Sequence, residues 1–589
     1  MVSGAPSAPN SGGGAFVAKV WIGEVAIRGF RSLDNFTVGL EPDTTFLVGE
    51  NNTGKSSLLA AMTAALGRSR PTSDDLTRHS DGAVADKAVV DLTVFSGEGE
   101  SFGDYERGAF GGNVHRHPTQ AREFVGIRSS FTRSRESDQL LVNRSFLQPG
   151  RNGLIESSTE FLPKALSIFE CELLDAARDL VTDFGSKTSR WGRVLFDLQI
   201  PELPLDGVEP NRLSRSSLEA ELVRLAADMR EASPVLSKLE EDLSRIKAIQ
   251  NTVGDVSLLP FPPRIEEMMR SVEVILSRGD SPQLPLRFHG LGSRSLAALF
   301  VFATLCALRL GADDELRPHF VTLIEEPESH LHPQAVSALR LQLNSMPGQR
   351  IVSTHSSRLV EEAPPRCLRV LRRTSTGFNV YNLSASTLAD TARFRRFVER
   401  PFGEFFFSRV IVFGDGATER DALPRMLEHA LGVAPSSLGV TVVDSESLAN
   451  PQVPKLIAAA EELGLPWLVF ADNDAQGIAA LANIVDPRTG TALDPNSSRV
   501  VVAGSKAIER MLLDAGYGDE VIAIANEQKV TVATEQDQLK YLASNKGWVG
   551  ESVVSLALQN EKGVPQPVHE LAGRIREVLG LGSEVGEEE

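Results

Sequence analysis

Residues Gly49-Glu50-Asn51-Asn52-Thr53-Gly54-Lys55-Ser56 complete the pattern G-x-x-x-x-G-K-S. Such a loop functions only between a strand and a helix N-terminus, where backbone N–H groups converge on phosphate and the helix dipole adds positive potential. The flanks fit. Residues 17–30 and 44–48 are rich in β-branched and aromatic side chains and read as strands, and the alanine- and leucine-rich run 57–66 reads as a helix. Gly49, Asn52, Gly54 and Ser57 would then shape the cradle. Lys55 would reach the terminal phosphates and Ser56 would hold Mg²⁺.

The rest of a nucleotide site lies far downstream. The apolar run 320–324 ends in Glu325-Glu326, followed by Pro327-Glu328-Ser329-His330. The first carboxylate suits the metal shell, and the second suits polarising water near the γ-phosphate. Residues 350–353 read as a strand delivering Thr354-His355-Ser356, where His355 can sense that phosphate. His289-Gly290-Leu291-Gly292-Ser293 leads into the apolar helix 296–308, so Gly292 and Ser293 form a second anion-binding helix start. Between residues 96 and 285 the nucleotide domain is interrupted. Residues 124–131 still read as one of its strands. Residues 213–249 carry Leu218, Leu222, Leu225, Met229, Leu236, Leu239 and Leu243 at helical spacing, which reads as a dimerisation arm or an ordinary helical subdomain.

From Arg409 the pattern changes to strands alternating with helices. Strands are expected at 410–413, 440–443, 467–471 and 500–502, and helices from 417 through 431, at 454–463 and at 506–513. This argues a small parallel sheet. Asp415, Asp472 and Asp474 each follow the carboxyl end of a strand, where open α/β sheets place their sites. Glu419, one helical turn after Asp415, leans toward the same edge. Four converging carboxylates repel one another unless cations lie between them, so one or two Mg²⁺ or Mn²⁺ ions are expected, a chemistry suited to phosphodiester cleavage.

The order of phosphate loop, Gly/Ser helix start, carboxylate strand and Thr-His-Ser resembles ABC-type ATPases of the RecF/SMC-like group. The Gly/Ser helix start of one subunit there caps ATP on the other, which implies a homodimer or higher homo-oligomer. Two departures are Gly-Leu-Gly-Ser in place of Ser-Gly-Gly and Glu325 in place of Asp. The Asp415-Gly416-Ala417-Thr418-Glu419 segment and Asp472-x-Asp474 resemble a Toprim domain. The whole layout is similar to OLD-type (overcoming lysogenization defect) nucleases and to the nuclease subunit of Gabija-type anti-phage systems. The resemblance implies Asp415, Glu419, Asp472 and Asp474 as metal ligands, Glu509 as a later acidic ligand and Lys546 as a lysine neutralising the scissile phosphate. Asp415 stands where that family has Glu. The implied cofactors are ATP and Mg²⁺ or Mn²⁺, and the implied partner is DNA; a helicase-like protein partner and an anti-phage role rest on the resemblance alone.

The expected architecture is α/β. An ABC-type ATPase head (16–96 and 286–390) is interrupted by a mainly helical insertion (97–285), which holds some ATPase strands and the arm. A linker (391–408), a Toprim domain (409–580), a disordered start (1–15) and an acidic tail (581–589) complete it. A length of 589 residues accommodates about three or four domains. The three cysteines, Cys171, Cys306 and Cys367, form no zinc or disulfide spacing, which fits a reducing cytosol. No run is long enough to span a bilayer. A net charge of −18 argues against coating nucleic acid by bulk electrostatics. Local arginines remain available: Arg366, Arg369, Arg372, Arg373, Arg393, Arg395, Arg396, Arg400 and Arg409 crowd the junction of the two halves, as a phosphate-contacting cluster or a solvated face. The competing reading is a RecF-like DNA-repair ATPase with an inactive Toprim domain. A topoisomerase would need a nucleophilic tyrosine, and Tyr105, Tyr381, Tyr517 and Tyr541 show no distinctive setting.

Overall fold

The computed structural model describes residues 19–79, 81–134, 139–150, 153–175, 215–232, 275–276, 284–285, parts of 290–306, 318–329, 331–374, 377–384, 387, 402–504 and 506–581. The expected disordered start, the tail beyond residue 581, Leu236, Leu239, Leu243, Ser293, and Arg393, Arg395, Arg396 and Arg400 lie outside these. The chain forms two compact units: residues 1–174, 315–328 and 348–589, and residues 175–314 with 329–347.

The first unit is built on three sheets. One is antiparallel, in the order β2-β1-β4-β6-β7-β8. Its strands are β1 (Val20–Arg28), β2 (Phe36–Gly39), β4 (Lys87–Ser96), β6 (Glu123–Thr132), β7 (Leu141–Gly150) and β8 (Gly153–Glu156). A short β5 (His115–Arg116) pairs with β6. The first part of the sequence-expected insertion is therefore strand-rich. The segment 124–131 is the strand expected, while β7 has exposed Leu141 and Val142 and lacks the clean alternation that announces a strand.

The second sheet runs β15-β14-β3-β13-β12-β9. It comprises β3 (Thr44–Val48), β9 (Phe169–Asp175), β12 (His319–Glu325), β13 (Gln349–Thr354), β14 (Leu368–Thr374) and β15 (Gly377–Tyr381). Every residue of β3 and β13 is buried, as expected of central parallel strands covered on both faces. Register aligns the ends of three parallel strands: Glu325 pairs with Ser353, and Thr354 with Val48. Gln349 ties the two large sheets together. Its buried amide accepts from Ile22 N at 3.0 Å and donates to Ile22 O at 2.7 Å and Glu41 O at 2.9 Å.

The third sheet is parallel throughout, in the order β17-β16-β18-β19. Its strands are β16 (Val410–Gly414), β17 (Val440–Asp444), β18 (Trp467–Ala471) and β19 (Val500–Val502). Helices Ala417–Leu431, Trp548–Gln559 and Gln566–Leu579 close a core around Val412, Met426, Phe470, Tyr517 and Leu571.

In the second unit, a short ladder pairs β10 (Ile275–Leu276) with β11 (Leu284–Pro285), and helices span Arg215–Ala232 and Pro333–Ser345. The first of these helices carries the apolar stripe expected from the sequence, with Leu225 50% and Met229 46% exposed.

Three of the junction arginines, Arg366, Arg369 and Arg372, are internal fasteners. Arg366 pairs with Asp43 at 2.9 Å, and Arg369 pairs with Glu41 at 2.7 Å. Arg372, on β14, donates to the carbonyls of Leu463 at 3.0 Å, Ser408 at 3.1 Å and Phe406 at 3.4 Å. Burial lowers its guanidinium to about 10, so it stays charged at neutral pH. Arg372→Ala removes the donors for these carbonyls and should cost about 2 kcal/mol. Arg372→Lys, lacking the planar fork, should recover only part of that. Urea denaturation followed by tryptophan fluorescence checks both.

Candidate functional site

The ends of β3, β12 and β13 meet at one sheet edge. Gly49 (φ +157°), Asn52 (φ +61°) and Gly54 (φ +92°) bend the loop after β3. At Gly49 a side chain is excluded, because a Cβ would lie 2.4 Å from Leu371 O. Asn52 holds a left-handed conformation that Asn tolerates better than most residues. Lys55 opens the helix Lys55–Ala65, and its Nζ donates to Gly49 O at 2.8 Å and Glu50 O at 2.7 Å. Burial pulls Lys55 down to about 8 against the pull of Glu326, Glu325, Glu328 and Glu50. Ser56 Oγ donates to Glu325 Oε1, so a hydroxyl and a carboxylate suited to one Mg²⁺ are in contact.

Glu326 sits at φ +42°, a strained backbone for a non-glycine residue. Its Oε1 lies 3.2 Å from His355 Nε2. Burial, and then the charge of Lys55, lower the His355 pKa from its ordinary range. A cavity of about 630 Å³ is lined by Ser32, Asn51, Asn52, Thr53, Gly54, Lys55, Ser56, Ser57, Glu326 and His355. The arrangement can hold a Mg²⁺–nucleotide with a carboxylate and an imidazole at its terminal phosphate. Gly292 lies in a helical segment of the second unit.

Two participants escape the sequence reading. Ser32 reaches the cavity through the turn after β1, with its Oγ 3.2 Å from Ser57 Oγ. Glu328 is the other. Its Oε1 accepts from Thr354 Oγ1 at 2.6 Å, His355 N at 2.7 Å and Ser356 N at 3.0 Å. One buried carboxylate thus fixes the loop carrying His355. Burial raises its pKa despite these bonds. The signal was the third acid in Glu325-Glu326-Pro327-Glu328, but its target becomes visible only once β12 and β13 are paired.

The second candidate site lies at the carboxyl edge of the parallel β16–β19 sheet. Asp415 Oδ1 accepts from Leu448 N at 2.8 Å, Glu419 Oε2 from Gly416 N at 2.9 Å and Asp472 Oδ1 from Ile508 N at 3.1 Å. Asp474 Oδ1 accepts from Gly477 N at 2.7 Å and caps the helix Ala475–Leu481. Glu509, buried, accepts from Thr418 Oγ1 at 3.2 Å. Each carboxylate thus commits one oxygen to the fold, and among the described residues the other oxygen has no hydrogen bond.

The groups are electrostatically one cluster. Burial first, then Asp472, Glu509 and Asp415, push Glu419 well above the ordinary carboxyl range. Burial, then Asp415, Glu509 and Asp474, push Asp472 up to about 7. Among the described residues no three acid, His or Cys side chains close to metal-ligand spacing. The edge is thus not a preformed cage, but its unshared oxygens and mutual repulsion fit a divalent cation. Exposed Lys546 lies in the turn before Gly547, and a Cβ on Gly547 would approach Asp421 Oδ2 at 2.6 Å and Ala417 Cβ at 3.8 Å, which places that turn beside the first turn of the Glu419 helix. Arg420, not anticipated from the sequence, joins Asp421 at 2.7 Å and Asp444 at 3.3 Å there.

An ATPase edge and a Toprim-type carboxylate edge define the class of protein. Residues 44–361 match the family described as "AAA domain, putative AbiEii toxin, Type IV TA system", and residues 406–474 match "Overcoming lysogenization defect protein-like, TOPRIM domain". The chain belongs to the OLD family of proteins that join an AAA-type ATPase domain to a Toprim domain. It is 25% identical over 487 residues to the uncharacterized protein YbjD of Escherichia coli K12, covering 77% of this chain and 79% of that protein. It is 22% identical over 260 residues to the Old nuclease of Escherichia phage P2, covering 41% and 42%. The C-terminal region of the Burkholderia pseudomallei OLD protein matches 29% of this chain and 99% of its own, with 17% identity and a TM-score of 0.24.

Two outcomes follow from this geometry. Glu328→Ala should lower kcat for ATP about 100-fold through a displaced His355 loop while nucleotide Kd changes less than about threefold. Glu328→Gln keeps an acceptor oxygen and should recover most of that loss, whereas Lys55→Ala should abolish nucleotide binding; stopped-flow turnover and fluorescent-nucleotide titration separate these. For the carboxylate edge, the unfolded chain releases its carboxyl protons near pH 4. The raised folded values of Glu419 and Asp472 therefore contribute stability below that pH, and this is lost as pH rises through about 7. Mg²⁺ should thus raise the melting temperature more at pH 8 than at pH 6, measured by calorimetry against EDTA.

Proposed function

We propose that the chain is a metal-dependent DNA endonuclease whose cleavage is governed by ATP binding and hydrolysis in its linked ATPase. The comparisons support an enzyme with ATPase and Toprim nuclease domains. The observation that carries the finer reading is the carboxylate cluster contributed by the β16 and β18 ends, with Glu509 behind it.

Divalent cations held by Asp415, Glu419, Asp472 and Asp474 would supply a nucleophile and stabilise the leaving oxygen. Lys546 would neutralise charge accumulating on the scissile phosphate. At the ATPase edge, Lys55 would exchange its loop carbonyls for phosphate oxygens, Ser56 and Glu325 would hold Mg²⁺, and Glu326, steadied by His355, would orient water. Dimerisation is supported by the half-exposed Leu225 and Met229 on the helix Arg215–Ala232 and would bring the Gly292-Ser293 helix start to a partner's nucleotide. A helicase-like partner and anti-phage defence belong to the same proposal, by family likeness. A cytoplasmic setting is supported by the buried cysteines Cys171, Cys306 and Cys367, which form no disulfide among the described residues. Among the described residues no helix is long and apolar enough to cross a membrane. Of the four tyrosines, Tyr517 is poorly placed as a topoisomerase nucleophile, since it donates to Gly563 O at 2.8 Å and burial raises it to about 12.

Supercoiled plasmid with Mg²⁺ or Mn²⁺, with and without ATP, tests the proposal. Nicked or linear product is expected, and it should disappear in an Asp472→Asn, Asp474→Asn double variant. Asn retains the helix cap at position 474, so loss of cleavage there is not loss of fold. Intact plasmid under every condition, with DNA-stimulated ATP hydrolysis retained, would instead establish the RecF-like repair ATPase.

A further inference from the structure

Trp548 is 49% exposed, whereas Trp21 and Trp467 are buried. It opens the helix Trp548–Gln559, and its carbonyl accepts from Ser552 Oγ at 2.8 Å. The backbone beneath it is pinned to the carboxylate edge. Gly547, at φ +88°, admits Asp421 where a Cβ would clash at 2.6 Å, and a Cβ on Gly550 would lie 3.0 Å from Thr418 Cγ2. Thr418 in turn donates to Glu509 and precedes Glu419. An indole half in water therefore stands on rigid main chain next to the helix turn that carries a proposed metal ligand.

Its solvent side carries two cations set among acids, with Asp421 and Asp444 on Arg420 and Glu551 in the first turn of the same helix. Lys546 is exposed two residues earlier. The Arg420 side chain is 47% exposed and held planar against Asp421 by bonds of 2.7 and 2.8 Å. An exposed aromatic face flanked by cations suits a strand whose phosphates pass the cations while a base lies on the ring. A closed duplex offers no free base face in its interior, so the ligand class is single-stranded or locally melted DNA.

We propose that Trp548 stacks on an unpaired base and sets the register of the scissile phosphate at the carboxylate edge, with Lys546 and Arg420 holding the adjoining backbone. This rests on the nuclease reading. It makes Trp548 a substrate-binding residue that favours melted DNA over intact duplex.

The test uses the full chain with Ca²⁺, a fluorescein-labelled 20-nucleotide oligo-dT and a blunt hairpin duplex. Trp548→Ala should weaken oligo-dT binding about tenfold, within the range for loss of one base–aromatic stack, and leave duplex binding within about twofold. Trp548→Phe should restore most of the affinity. Tryptophan emission quenched by unlabelled oligo-dT in the parent chain should be largely lost in Trp548→Phe. Unchanged oligo-dT affinity in Trp548→Ala, equal losses on both DNAs, or quenching that survives in Trp548→Phe would each overturn the proposal. Plasmid cleavage with Mg²⁺ is measured in parallel. A parent chain that shows the quenching but never cleaves overturns the nuclease reading and leaves the stacking intact. One that cleaves, with Trp548→Ala unchanged in KM for single-stranded substrate, overturns the stacking alone.

Discussion

Negative charge held close together at the ends of parallel strands is the constraint on which the rest of this structure depends. Glu419 and Asp472 cannot both ionise beside Asp415, Asp474 and Glu509 without a counter-charge, so they keep protons at values where isolated carboxyls have long lost theirs. The fold opposes that repulsion with backbone N–H groups at Gly416, Leu448, Gly477 and Ile508. It leaves the remaining oxygens to a cation. The ATPase edge solves the same problem with a resident charge, since Lys55 is surrounded by Glu50, Glu325, Glu326 and Glu328 and remains largely protonated at neutral pH despite burial.

The two edges differ in how their chemistry is held. In the ATPase, separate strands deliver separate groups, and Glu328 supplies the cross-brace by gathering Thr354, His355 and Ser356 onto one oxygen. Glu326 and His355 can then face each other across a strained backbone at Glu326. At the carboxylate edge, bracing and proposed chemistry share the same side chains. Asp474 is both helix cap and candidate ligand.

Much of this was legible in the sequence because buried parallel strands are short apolar runs with carboxylates or glycines at their ends. The strand Trp467–Ala471 coincides with its sequence reading, and β3, β12, β13 and β16 fall within two residues of theirs. What escaped depends on pairing. Glu328 could not be connected to His355 until β12 lay beside β13. The fastening role of Arg366, Arg369 and Arg372 could not be read because charge is visible in a sequence, whereas the carbonyls that bind Arg372 are not. Strand β7 was missed because its half-exposed residues follow no clean period.

Arg372 has one more consequence. It grips the neighbouring module through the oxygens of Phe406, Ser408 and Leu463, which every amino acid carries alike. This part of the joint is therefore indifferent to side-chain identity at those three positions, while Ser384 and Thr387 add bonds to the Glu462 carboxylate that do depend on it. Sequence drift at those three positions leaves the Arg372 fastening in place as long as the main-chain path is kept, whereas drift at Glu462 would loosen the contacts beside it.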